Sequence, residues 1–129
     1  MYKLTPVEEK LCKEIVDCAY LVHKQLGPGL LEKIYEACFC HELNRKQIAF
    51  QRQVIVPIVY DSITFDEGLR IDVFVENLII CEFKAVNEVN PVYVSQVISY
   101  AKLVSVHIGF LINFKVALIK QGIRRYCIE

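Results

Sequence analysis

Several features are scarce in this 129-residue chain, which contains no tryptophan, one methionine, five glycines and four prolines. Net charge is also lacking, because fifteen basic residues balance fifteen acidic ones. No overall field therefore marks the protein as a partner of nucleic acid or of an anionic membrane, and any electrostatic function must be local. The composition typical of disorder is absent too, since 54% of the residues are hydrophobic and the mean hydropathy is +0.34. We expect one folded domain spanning residues 1–129.

Metal-binding and secretory signatures are equally missing. The six cysteines form no C-x-x-C pair, and the three histidines do not cluster with them, which disfavours a zinc site. The first residues lack the apolar core of a secretory signal, so we expect reduced, buried thiols in a cytoplasmic protein rather than disulfides. The most apolar stretch, residues 104–114, is shorter than the roughly 18 residues of a membrane span, so we expect no membrane partner.

Hydrophobic periodicity predicts the element order ααβββαββ. Residues 5–8, Thr-Pro-Val-Glu, have the form of a capping box, and the helix that follows should end near Leu26, before Gly-Pro-Gly. A second helix should run to about Lys46, and a third from Asn90-Pro91 to about Ser105. Strands are predicted at 48–56, 69–75, 78–86, 108–114 and 123–128, the first three as an antiparallel meander with an edge strand before Pro57. The fold class is therefore α/β, a sandwich with a mixed β-sheet flanked by helices.

Two charges interrupt the strand predicted at 78–86. Seven of its nine residues are apolar, and the exceptions, Glu82 and Lys84, share one face of the strand. Charges in such a row cost several kcal/mol unless they are paired or bound to a metal ion. An ion pair between Glu82 and Lys84 at a solvated end of the sheet is the purely structural alternative.

Asp72 lies at the centre of the preceding apolar strand, and the length of the connecting turn decides where it points. A two-residue loop places Asp72 opposite Cys81, whereas a three-residue loop places it opposite Glu82. Asn77 tolerates a left-handed conformation and suits the longer loop. Two adjacent carboxylates repel each other, and Mg²⁺ or Mn²⁺ would resolve the conflict because these ions prefer hard oxygen ligands.

These residues carry a resemblance. Asp72 followed by Glu82-Phe83-Lys84 resembles the core of the PD-(D/E)XK nuclease superfamily, with Ile71 where proline is usual. Residues 29–35 read G-x-x-E-x-x-Y, and the chain closely resembles the bacterial GxxExxY proteins over nearly its whole length. Further matching segments are residues 26–29, 51–53 (Gln-Arg-Gln), 82–86 and 111–114, together with the Q-x-x-x-Y helix motif at 96–100. The resemblance implies a restriction-endonuclease-like fold.

The resemblance also implies roles for the residues. It makes Asp72 and Glu82 the ligands of Mg²⁺ or Mn²⁺, with the backbone carbonyl of Phe83 as a further ligand and Glu32 as a third acidic group. Lys84 would orient or help to deprotonate the attacking water and offset charge near the phosphate. Gln96 would hold Lys84 or a phosphate oxygen. The supporting residues are Gly29, which suits the tight turn before the second helix, Tyr35 and Tyr100.

Two of these residues also have purely structural interpretations. Glu32 lies in the first turn of its helix, where the helix dipole favours a carboxylate. Gln96, without the resemblance, would be taken as a surface residue. Both alternatives remain open from the sequence alone.

The implied function is that of a Mg²⁺-dependent nuclease, a hydrolase of phosphodiester bonds that acts on nucleic acid, DNA rather than RNA. The alternative is a noncatalytic module that binds nucleic acid or protein on the same fold, and a third interpretation makes the charges a structural ion-pair network. The high apolar content favours an additional buried surface, and we expect a homodimer. Residues 89–128 contain no acid, so a local basic surface could form there from Lys102, Lys115, Lys120, Arg124 and Arg125, with Arg52 and Arg70 nearer the site.

Overall fold

The helices and strands follow the predicted order, with one additional hairpin. The computed structural model describes all residues from Met1 to Glu129. Its helices are α1 (Pro6–Leu26), α2 (Glu32–Arg45) and α3 (Pro91–Leu103). Its strands are β1 (Phe50–Ile55), β2 (Ile58–Tyr60), β3 (Ile63–Phe65), β4 (Arg70–Val75), β5 (Ile79–Lys84), β6 (Ile108–Asn113) and β7 (Ile123–Cys127), with a 3₁₀ turn at Ile119–Gln121.

Local sequence signals account for the helix ends. Thr5 forms the complete capping box with Glu8, as predicted, and Gly27 ends α1 with a positive φ of 67°. The side chain of Asn90 accepts the N–H of Val92 and begins α3. The first and third helices therefore begin where side chains satisfy the free amides of the first turn.

The main sheet has five strands in the order β1-β4-β5-β6-β7. Neighbouring strands are antiparallel except for β5 and β6, which are parallel and joined through α3. Helices α1 and α2 pack on one face around the larger apolar core, and α3 packs on the other face around a smaller one. The mixed sheet flanked by helices confirms the predicted fold class, and β1 lies at an edge as Pro57 indicated.

The turn between β4 and β5 settles the register. Val73 pairs with Cys81 and Val75 with Ile79, which leaves a three-residue loop and places Asp72 opposite Glu82. Glu76 and Asn77 have positive φ angles of 51° and 55°, the conformation that this tight connection requires. The longer of the two predicted loops is therefore the observed one.

The β2–β3 hairpin was not predicted as a pair of strands. The turn expected at Asp61-Ser62 is present, with positive φ at both residues, and joins two three-residue strands. The hairpin lies between β1 and β4 in the chain but forms its own two-stranded sheet. Isolated two-stranded hairpins are marginally stable in water, so we expect this hairpin to be the least stable part of the fold.

The cysteines and helices bear on two further expectations. All six cysteines are free thiols; Cys12, Cys18, Cys40 and Cys81 are buried, Cys38 is half-buried, and Cys127 is exposed. The expectation of buried thiols is therefore wrong for Cys127, which lies at the end of the edge strand β7. None of the helices combines the length and apolar character needed to span a bilayer.

Candidate active site

The candidate site lies where β4 and β5 separate. Beyond the pair Val73–Cys81, two carboxylates take the place of the backbone ladder. The N–H of Asp72 donates to Glu82 Oε2 at 2.7 Å, and the N–H of Phe83 donates to Asp72 Oδ2 at 3.0 Å. Each carboxylate thus accepts a hydrogen bond from a backbone amide of the opposite strand. These bonds fix the two carboxylates beside each other at the opening between β4 and β5.

Burial makes this pair costly to ionise. Glu82 is only 7% exposed, and burial, followed by the neighbouring charge of Asp72, raises the pKa of Glu82 to about 8. Burial also raises the pKa of Asp72, although the amide of Phe83 opposes the shift. The pair therefore favours any positive charge that can share it.

Lys84 projects from β5 next to these acids without forming an ion pair with them. Its Nζ instead lies 4.3 Å from the ring centroid of Tyr93 on α3, within the range of a cation–π interaction. The structural alternative of a Glu82–Lys84 pair is therefore not what the structure shows. The ammonium group keeps its donors free for another partner.

The backbone around Lys84 is held on both sides. The N–H of Phe114 donates to the carbonyl of Lys84 at 2.9 Å. The side chain of Asn113, which is buried, accepts the N–H of Val86 and donates to its carbonyl, both at 3.0 Å. These contacts fix the end of β5 and, with Tyr93, restrict the position of the lysine.

Helix α2 brings two more carboxylates to the opening. Glu32 is half-buried, and burial raises its pKa, with Lys84 opposing the shift and Asp72 and Glu36 adding to it. Because the charges of Lys84 and Asp72 both act on Glu32, its carboxylate lies near these two predicted site residues. Its side chain accepts no hydrogen bond, so it remains available to a ligand. Glu36, one turn further along, is buried and bound by Arg52 and Gln53 of β1.

The G-x-x-E-x-x-Y segment also has a structural function. Gly29 has a φ of 109°, which L-residues rarely adopt, and a Cβ there would meet no atom within 4 Å, so backbone conformation alone accounts for glycine. Tyr35 is fully buried; its hydroxyl donates to the carbonyl of Gly27 at 2.6 Å and accepts the N–H of Leu30 at 3.0 Å. Tyr35 thus fixes the loop that leads into Glu32 instead of binding the acidic residues directly.

The two residues of the Q-x-x-x-Y motif on α3 have different environments: Tyr100 lies in the core and Gln96 at the surface. Tyr100 is buried, and burial together with the charges of Glu82 and Asp72 raises its pKa, so it lies near the carboxylates. Gln96 is exposed and makes no hydrogen bond, to Lys84 or to any other residue. The structure therefore brings Tyr100 to the site and leaves the amide of Gln96 facing solvent.

Sequence reasoning assigned no role to Glu36, Gln53, Tyr93 or Asn113, and it offered Arg52 only as a basic residue near the site. Two of these had a usable signal, because Glu36 lies four residues after Glu32 and Tyr93 lies three before Gln96, both on shared helical faces. The positions of Arg52 and Gln53 depend on which strand lies beside β4, which no local pattern shows.

The donor set fits a hard divalent cation, although no three His, Cys, Asp or Glu side chains converge closely enough to enclose one. Asp72 and Glu82 each use one oxygen for a backbone amide, which leaves Asp72 Oδ1 and Glu82 Oε1 free of backbone partners. Every fully buried side-chain oxygen has a hydrogen-bond partner. Glu82 Oε1 has none, so this atom must be in contact with solvent. The N–H of Phe83 faces Asp72, and in a strand the carbonyl of the same residue points to the same side. Oxygen ligands of this kind suit Mg²⁺ or Mn²⁺.

The basic residues of the segment 89–128 do not gather on one face. Arg124 and Arg125 are adjacent on β7 and therefore point to opposite sides of the sheet. Lys102 lies on α3, whereas Lys115 and Lys120 lie between β6 and β7. Near the site itself acids outnumber bases, with four carboxylates against the side chains of Lys84 and Arg52.

Comparison with known families agrees with this arrangement. The family model for the PD-(D/E)XK nuclease superfamily matches residues 9–126, and the chain therefore belongs to this superfamily. Asp72, Glu82 and Lys84 all lie within the matched residues. The closer likeness to the GxxExxY proteins stays a resemblance. No curated protein and no solved structure matches the chain significantly.

Proposed function

We propose that this protein is a nuclease that depends on Mg²⁺ or Mn²⁺ and hydrolyses phosphodiester bonds of nucleic acid, DNA in preference to RNA. The observation that carries the proposal is the separation of β4 and β5 around Asp72 and Glu82. Lys84, two residues after Glu82 on the same face of β5, places an ammonium group without an ion-pair partner beside this opening. The excess of carboxylates explains the dependence on a cation, because an uncompensated acidic cluster repels a phosphate.

In this proposal Asp72 and Glu82 hold the metal ion, the carbonyl of Phe83 adds a neutral oxygen ligand, and Glu32 binds the ion or its water from α2. When bound, the ion supplies charge neutralisation at the phosphoryl group and a more acidic water. Lys84 orients the attacking water and stabilises negative charge on the phosphate. Its restrained backbone and its contact with Tyr93 keep the ammonium in place before substrate arrives.

Substrate binding depends on the polar groups that the fold leaves free. Gln96 is exposed on the helix that also carries Tyr93, so its amide is free to donate to a phosphate oxygen. Because the basic residues are dispersed, electrostatic affinity for nucleic acid should be modest and should depend on the divalent ion. A domain of this size has few loops for reading bases, so we expect low sequence specificity.

The proposal predicts that Asp72→Asn removes both metal binding and cleavage. Asparagine can still accept the N–H of Phe83 through its oxygen, and Gln53 keeps its shorter hydrogen bond to Glu36, so the fold should persist while one anionic ligand is lost. We expect Mn²⁺ binding, measured by calorimetry, to become undetectable and cleavage of mixed DNA and RNA substrates to fall more than about 100-fold.

The matched control is Asp61→Asn, a change of the same kind in the exposed β2–β3 turn. It should leave both measurements unchanged, because Asp61 is exposed in a hairpin outside the main sheet and asparagine tolerates its positive φ of 54°. A wild-type protein that binds Mn²⁺ but cleaves neither polymer would favour the noncatalytic binding module. A protein that binds no metal in the presence of nucleic acid would refute the nuclease proposal.

A homodimer is part of the same proposal, and the β2–β3 hairpin is its contact surface. Val59, Tyr60 and Ile63 are 70%, 73% and 55% exposed, which is unusual for three apolar residues so close together. The hairpin and its following loop carry three acids and no base, whereas residues 89–128 carry five lysines and arginines and no acid. Because those bases lie on different elements and faces, the exposed apolar side chains of the hairpin are what a second copy would bury at this contact.

We expect the double variant Val59→Ser and Tyr60→Ser to be monomeric, with the 14.9 kDa mass of one chain, under conditions in which the wild type sediments at twice that mass. Val7→Ser removes a valine of α1 that is 60% exposed and should leave the dimer intact. A monomeric wild type would contradict this part of the proposal.

A further inference from the structure

The buried carboxylate of Glu36 lies next to the proposed metal ligands, and both of its oxygens already accept hydrogen bonds. Glu36 is 5% exposed. Both Nε and Nη2 of Arg52 lie 3.0 Å from Glu36 Oε2, and Nε2 of Gln53 donates to Glu36 Oε1 at 2.8 Å. A buried carboxylate is retained at low cost only when its charge and both oxygens are satisfied, as they are here. Glu36 is therefore not free to bind a metal ion.

Gln53 connects Glu36 to the candidate site. Its Nε2 also donates to Asp72 Oδ1, at the longer distance of 3.4 Å. The amide nitrogen has two hydrogens, and the two carboxylates on either side use one each. Since the N–H of Phe83 holds Asp72 Oδ2, the Asp72 carboxylate has a donor at each oxygen.

The backbone of Gln53 is unusual at this point. Its φ is 53°, a value that residues other than glycine seldom adopt in a strand. The β1–β4 ladder includes Arg52–Val73 and Val54–Ile71 but omits the intervening position, where Gln53 faces Asp72. Consecutive residues of a regular strand point to opposite faces, yet Arg52 and Gln53 both reach Glu36. The strained residue is what brings the second donor to the acids, and such strain is characteristic of functional sites.

We propose that Gln53 and Glu36 are positioning residues for Asp72, with Gln53 orienting the carboxylate and Glu36 orienting the Gln53 amide. The amide presents nitrogen, not oxygen, to Asp72 because Glu36 accepts its other hydrogen. Arg52 offsets the charge of Glu36 and so keeps that charge from competing for the metal ion. This inference rests on the proposed function, and it assigns roles to Arg52 and Gln53 of the Gln-Arg-Gln segment, which the nuclease roles leave unexplained.

The decisive variant is Gln53→Asn. Asparagine tolerates a positive φ better than glutamine does, so the fold should be as stable as the wild type or more so. Its amide is shorter by one methylene, about 1.5 Å, and cannot reach both carboxylates. We expect the affinity for Mn²⁺ alone to fall about 10–100-fold and kcat to fall by a similar factor, with KM for nucleic acid unchanged. A purely structural residue would lower stability instead of metal affinity.

Three further measurements make the test specific. Gln51→Asn, on the same strand and exposed, is the matched control and should change nothing. Gln53→Met removes the donor without shortening the chain and should reproduce the loss of Mn²⁺ affinity. Because Glu36 acts through Gln53, adding Glu36→Gln to Gln53→Met should cause little further loss of affinity.

The outcomes separate this inference from the proposed function. Wild-type protein that binds Mn²⁺ and cleaves nucleic acid, with unchanged affinity and kcat in Gln53→Asn and Gln53→Met, would overturn the positioning role alone. Wild-type protein that neither binds Mn²⁺ nor cleaves would overturn both. Gln53→Met should also lose some thermal stability, because it leaves Glu36 Oε1 without its donor, so loss of affinity in both variants with unchanged stability in Gln53→Asn would establish the positioning role.

Discussion

Replacing Glu82 by glutamine is expected to abolish metal-dependent cleavage and, in the absence of metal, to make the protein more stable. Glutamine keeps an oxygen that can accept the N–H of Asp72, so the geometry of the opening is preserved. What disappears is a group that burial and Asp72 keep protonated up to about pH 8 in the folded protein, although the unfolded chain ionises it at neutral pH. The cost of this group to stability can therefore be measured separately from its proposed role as a metal ligand.

The gain should be about 2 kcal/mol in the free energy of unfolding, or roughly 5–10 °C in Tm for a domain of this size. It should also depend on pH. Because the pKa of Glu82 is raised to about 8 in the folded protein, the folded state holds a proton that the unfolded state releases above its ordinary pKa of about 4.5. The wild type therefore loses stability as the pH rises from about 4.5 to 8, and the variant does not. The difference in Tm should vanish near pH 4 and be largest above pH 8.

The contrasting control is Glu42→Gln, which alters another buried glutamate. Glu42 forms an ion pair with Arg45 at 3.4 Å, which compensates its charge, so loss of that charge should bring no gain in stability. Cleavage should be retained in that variant and reduced more than about 100-fold in Glu82→Gln. A lower Tm for metal-free Glu82→Gln would mean that the carboxylate stabilises the fold, which would favour the structural interpretation of the charges.

The site could be predicted from the sequence to the extent that it depends on neighbouring strands of one hairpin. Asp72 and Glu82 belong to consecutive strands, so the turn at Glu76 and Asn77 leaves only two registers, and the left-handed tendency of Asn77 favours the observed one. The fold followed from the same kind of information, because the helices and the strands of the main sheet carry their own periodicity, and α1 and α3 also carry capping signals.

The remaining residues of the site depend on long-range contacts that periodicity does not encode. Gln53 reaches Asp72 only because β1 lies beside β4 and because one residue of β1 departs from strand geometry. Tyr93 meets Lys84 only because α3 packs across the end of β5. The β2–β3 hairpin escaped prediction for a different reason, since its strands of three residues are too short for alternation to be distinctive.

Lys84→Met should be the variant that separates metal binding from chemistry. Methionine keeps the length and apolar character of the side chain, and the backbone of residue 84 stays fixed by Phe114, so the fold and the carboxylates should be unaffected. We expect Mn²⁺ affinity to be retained or slightly increased, because a cation near Glu82 and Asp72 is removed. The rate constant kcat should fall about 10²–10⁴-fold, the usual contribution of a positioned acid–base or charge-stabilising group.

Two companion variants make this result interpretable. Tyr93→Leu leaves the ammonium in place but removes the ring 4.3 Å away, and we expect a loss of kcat near tenfold with normal metal binding, because Tyr93 acts only by holding Lys84. Lys120→Met, in the 3₁₀ turn, removes an exposed lysine and should leave kcat unchanged. Full activity in Lys84→Met would show that the metal ion alone activates the water. A graded series from Lys120→Met through Tyr93→Leu to Lys84→Met would instead locate the chemistry at the end of β5, where the acids bind the ion and the lysine acts on the water.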